Sequence, residues 1–103
     1  MLISVCPLSE LSPGEMTWIA HGREEIFVVN FEGALHAMDN VCSHSGASLA
    51  DGYLHGKTVM CALHGWEYDV TTGCCTHIPN ECLRTFPVVV QDDQIYVELP
   101  DNS

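Results

Sequence analysis

The chain has 103 residues, room for one domain and not comfortably two, and its 47% hydrophobic content can fill a modest core and argues against disorder. Fourteen acidic residues face three basic ones (Arg23, Lys57 and Arg84), and the formal charge of −11 argues against nucleic-acid and anionic-membrane roles, which need clustered Lys and Arg. No apolar run approaches a membrane span, and Met1–Pro7 lacks the basic start of a secretory leader, so a cytoplasmic protein with reduced thiols is expected.

The first expected strand is Leu2–Cys6, with Cys6 in the core, and Pro7 ends it. Leu8–Glu15 reads as turns around Pro13-Gly14. Met16–His21 is a second strand, with Trp18 and Ile19 expected in the core, and Gly22 breaks it. Glu25–Asn30 is β-branched and aromatic, and Phe31-Glu32-Gly33 turns it into Ala34–Met38, a hairpin. Gly52 and Gly56 bracket Tyr53-Leu54-His55, and Thr58-Val59-Met60 is a short strand. Pro87–Val90 and Gln94–Leu99 flank Asp92-Asp93 as a last hairpin. Short strands with frequent turns predict an all-β chain, an antiparallel sandwich or barrel.

The region from Asp39 to Pro79 differs, holding five of the eight glycines, four of the six histidines and four of the six cysteines. An insertion of that kind in a regular β domain is the expected seat of function. Within it stand Cys42-Ser43-His44-Ser45-Gly46 and Cys61-Ala62-Leu63-His64-Gly65-Trp66, with sixteen residues between His44 and Cys61. Each segment offers one thiolate and one imidazole followed closely by a glycine, and a hairpin between them can bring the two loops side by side. Thiolates donate strongly, whereas neutral imidazole donates weakly, so an iron with two His ligands accepts an electron more readily than one with two thiolates. Zinc also takes two Cys and two His, but its finger sites usually present Cys–Cys and His–His pairs rather than two mixed pairs.

The pattern Cys-x-His, sixteen residues, Cys-x-x-His resembles that of the Rieske [2Fe–2S] ferredoxin family. The resemblance extends over nearly the whole chain, through Asp39-Asn40, Gly52, Gly65–Asp69, Thr72-Gly73 and Leu83–Val88. It implies the Rieske fold, two antiparallel sheets as a base with a small cluster-binding subdomain of about 39–79, all within one domain over 1–103. It implies a [2Fe–2S] cluster with Cys42 and Cys61 on the buried iron and His44 and His64 on the outer one. Membrane-complex relatives carry a further cysteine in each loop, joined as a disulfide; Ala47 and Leu63 stand there, so that bridge is not expected. Trp66 replaces their sulfide-bonding serine, although Tyr68 keeps a hydroxyl, and fewer donors point to a low potential of roughly −150 mV.

The implied role is not catalytic. It is that of a monomeric one-electron carrier from a flavin-dependent reductase to a terminal oxygenase of aromatic-ring hydroxylation, with transient contacts and no nucleic acid or membrane. The alternatives are the small subunit of an NAD(P)H nitrite reductase and a zinc-stabilised interaction module. Cys74, Cys75, His77 and Cys82 suggest a second metal site or a redox pair, against which we set ordinary loop residues in a reducing compartment. His21, His36 and His55 have no ligand partner in a motif and read as surface or turn residues.

Overall fold

A computed structural model describes residues 1–41, 48–61, 66–76, 78 and 80–100. Ten strands run in chain order: β1 (Leu2–Pro7), β2 (Met16–His21), β3 (Glu24–Phe31), β4 (Ala34–Asp39), β5 (Tyr53–His55), β6 (Thr58–Met60), β7 (Glu67–Asp69), β8 (Thr85–Phe86), β9 (Val88–Gln91) and β10 (Gln94–Glu98). They make three antiparallel sheets, ordered β1-β10-β9, β2-β3-β4-β8 and β5-β6-β7. The all-β expectation and both hairpins hold. Among the described residues the only helical turns are two 3-10 turns, Leu8–Glu10 and Leu49–Asp51, and no helix is long and apolar enough to cross a membrane.

The organising element is β3. Its run Ile26-Phe27-Val28-Val29 is wholly buried, and a continuous apolar run is what a strand covered on both faces requires. Alternate residues point opposite ways. Ile26 and Val28 meet Ile95, Val97 and Leu99 in one core between the two larger sheets. Phe27 and Val29 meet Leu49, Val59, Cys61 and Tyr68 in a second core under the small sheet. One strand thereby joins the base to the part that carries both cysteine–histidine segments.

The turns follow their chemistry. Asp92 and Asp93 both have positive φ (51° and 63°), as a tight two-residue turn matched to strand twist demands. The β3–β4 turn is pinned by buried Asn30, whose Oδ1 accepts from the Gly33 N–H at 2.8 Å and whose Nδ2 donates to the Leu11 carbonyl at 2.9 Å. Burial, with Glu10 adding, pushes the Cys6 thiol up.

Trp18 is a correction to the expectation of a core residue. It is 45% exposed, because β2 is an edge strand and it is the neighbouring Ile19 that packs on the core.

Candidate metal centre

The first cysteine–histidine segment departs at Val41 and returns at Ser48, and these two residues form an antiparallel bridge. The clamp behind it is Asn40, fully buried. Its Nδ2 donates to Ser48 Oγ at 2.8 Å and Glu25 Oε1 at 3.3 Å, and its Oδ1 accepts from the Ala50 N–H at 3.1 Å. Its backbone is used as well: the Asn40 N–H donates to the Glu25 carbonyl, and its carbonyl accepts from the Leu49 N–H at 2.6 Å. A buried amide with its polar atoms satisfied is a rigid fixture. Asn40 therefore locks both ends of the first segment to β3.

The second segment is closed in the same way. The Cys61 N–H donates to the Trp66 carbonyl at 2.7 Å, and β6 and β7 on either side pair in register, Val59 opposite Tyr68. Cys61 is 1% exposed and packs among Phe27, Val29, Met38 and Leu49, with half-buried Trp66 on the rim. The one candidate ligand within the described residues thus lies in an apolar core, the setting that the inner, thiolate-held iron of a [2Fe–2S] cluster would need. Cys42, His44 and His64 lie outside the described residues, as do Ala47, Leu63 and His77.

Gly52 brings the two segments together. A Cβ there would lie 2.0 Å from the Met60 carbonyl oxygen and 3.2 Å from that of Leu49. The turn that leaves the first segment thus lies directly against the residue that precedes Cys61, at a separation only glycine permits.

Arg84 ties the outer frame. Its Nε and Nη2 donate to the two Asp39 carboxylate oxygens at 3.1 and 2.9 Å, its backbone N–H adds a bond to Asp39 at 3.0 Å, and Nη2 also pairs with Glu24. These hydrogen bonds raise the guanidinium pKa still further above its ordinary value. On the far side, burial acts to raise the Asp69 carboxyl, but hydrogen bonds from Thr71 and the Lys57 ion pair at 3.4 Å outweigh it and hold the group below its ordinary range. Lys57 and Arg84 are thus both spent on acidic neighbours, which leaves the acidic excess of the surface largely uncompensated.

Among the second group of cysteines the structure departs from the reading as unjoined loop residues. Cys74 and Cys82 form a disulfide, and Cys75 is buried beside it. Two features were not read from the sequence: the clamp formed by Asn40, and the pairing of Cys74 with Cys82. Asn40 was visible only as part of a family pattern, and its clue is an amide next to a cysteine–histidine segment with Ser48 at the other end.

Residues 1–87 match the family model described as the Rieske [2Fe-2S] domain. The chain belongs to the Rieske [2Fe–2S] family. Its cofactor is accordingly a Rieske-type [2Fe–2S] cluster, which sets the zinc alternative aside. The ferredoxin component of biphenyl 2,3-dioxygenase from Rhodococcus jostii is 38% identical over 100 residues, covering 95% of this chain and 92% of its own. The ferredoxin component of the alkene monooxygenase system of Xanthobacter autotrophicus is 33% identical over 96 residues, covering 92% and 79%. The solved complex of reduced oxygenase and oxidized ferredoxin in carbazole 1,9a-dioxygenase superposes with a TM-score of 0.87 at 28% identity, over 93% of this chain and 91% of that one. These Rieske relatives are electron carriers, and so is this chain.

Proposed function

We propose that this chain is a monomeric cytoplasmic ferredoxin whose Cys42, His44, Cys61 and His64 hold the cluster, and that it carries single electrons from a flavin-dependent reductase to a terminal oxygenase. In this reading the chain is one domain, with about 39–79 as its cluster-binding part. The observation that carries the ligand assignment is the joint closure of the two segments, each pinched at its base by backbone pairing and brought against each other at Gly52. The partner class is supported by relatives named as ferredoxin components of oxygenase systems.

When bound, the cluster supplies a one-electron store. The protein's part is to bury Cys61 in an apolar core, fix the two segments and present an acidic surface. That surface attracts a basic docking patch and favours fast, transient encounter. Turnover of a reconstituted reductase–ferredoxin–oxygenase system tests the proposal. Stoichiometric electron delivery is expected, with a transfer rate that falls as ionic strength rises. A salt-independent rate would contradict the steering, and stable co-purification with a large sirohaem protein would instead assign the chain to a nitrite reductase.

A further inference from the structure

We propose that Cys74 and Cys82 form a reversible thiol–disulfide site, opened by a protein dithiol, at the foot of the two cluster-bearing segments. The proposal rests on the reading of this chain as a protein of a reducing compartment, where an accessible disulfide is more often transient or regulatory than structural.

The two residues face each other across a single antiparallel bridge, with Cα atoms 3.9 Å apart. Cys82 is exposed and Cys74 half-buried, so a reagent can reach the pair from the Cys82 side. The opened form has its place prepared. The Cys74 sulfur lies 3.9 Å from the Thr72 carbonyl oxygen, an acceptor for the released S–H. The surrounding chain does not depend on the bridge alone. The Cys75 N–H donates to the Glu81 carbonyl and the Leu83 N–H to the Gly73 carbonyl, each at 2.8 Å. Cys75, 2% exposed, points into the core and takes no part.

The location gives the site its interest. Cys82 lines a cleft together with Asp39, Arg84 and Val41, the residue that precedes Cys42. From the other end of the bridged segment the Thr76 N–H donates to the Glu67 carbonyl at 2.8 Å, one residue from Trp66, which closes the Cys61 segment. The bridged stretch therefore bonds beside the second segment and shares a cleft with the residue that leads into the first.

The exchange balances. A thiolate of the dithiol attacks the Cys82 sulfur, the bridge breaks, and Cys74 leaves as a thiolate and takes a proton. The second thiolate of the dithiol then attacks the mixed disulfide, Cys82 leaves and is protonated, and the donor ends as a disulfide. Two electrons and two protons pass from donor to chain.

Differential alkylation of the purified holoprotein, read by peptide mass spectrometry under anaerobic conditions, tests this. In oxidised glutathione Cys74 and Cys82 should be unlabelled. With dithiothreitol or a thioredoxin-type dithiol both should be labelled, and return to oxidised glutathione should remove that labelling, the visible absorption of the cluster persisting throughout. In Cys82→Ser, Cys74 should label without reductant. The proposal is overturned if Cys74 and Cys82 label in every buffer, or if they resist the dithiol until the cluster absorption is lost. A preparation that shows the reversible labelling but contains no iron would sink the electron-carrier reading and leave this site standing.

Discussion

Gly52→Ala is expected to cost about 3 kcal/mol or more of stability and to leave most of the purified protein without iron. The new methyl carbon would stand 2.0 Å from the Met60 carbonyl oxygen, and the obstacle is backbone, which cannot swing aside as a flexible side chain does. Either β5 and β6 part, losing the pairing of Tyr53 with Met60, or the 49–52 turn withdraws and carries the end of the first cysteine–histidine segment away from Cys61. Thermal unfolding and iron content, measured on the same preparation, check it. Wild-type values for both would mean that the two segments are not held together at this point.

Asn40→Ala should have an effect of similar size for a different reason. Removing the side chain deletes its bonds to Ser48, Glu25 and Ala50 at a fully buried position. The Ala50 N–H and the Ser48 hydroxyl lose a partner where water does not easily replace it, and each such loss costs about 1–3 kcal/mol. For a domain whose whole stability is on the order of 5–15 kcal/mol that is a large fraction. The base, held by β1, β9 and β10 and by the Ile26–Val28 face of β3, is not touched. The expected signature is therefore selective: faster loss of cluster absorption on mild heating or chelation, with the β-sheet circular dichroism largely kept. Parallel loss of both signals would show that Asn40 supports the whole fold rather than one segment.

How far the sequence could be read depended on whether the deciding physics was local. The apolar run Ile26–Val29 announces a strand covered on both faces, and the Asp92-Asp93 pair announces its turn, because these depend on side-chain period and backbone preference alone. Met16–His21 and Thr58–Met60 were legible to the residue. β7 was missed because its only buried member is Tyr68 between Glu67 and Asp69, and β8 because two residues show no period. Trp18 misled because hydrophobicity does not tell an edge strand from a central one. Of the site, Cys61 is buried and the other three candidate ligands lie outside the described residues, while the Asn40 clamp, the Gly52 approach and the Cys74–Cys82 bridge are matters of long-range contact that no window of sequence contains.

The electron paramagnetic resonance spectrum of the reduced protein, with its nitrogen couplings and with iron and sulfide counted on the same sample, tests the central claim most directly. The account predicts two irons and two sulfides per chain, a Rieske-type signal, and couplings from two imidazole nitrogens that are lost or altered in His44→Ala and His64→Ala. A colourless protein holding zinc, or a cluster signal with no nitrogen coupling, would contradict it.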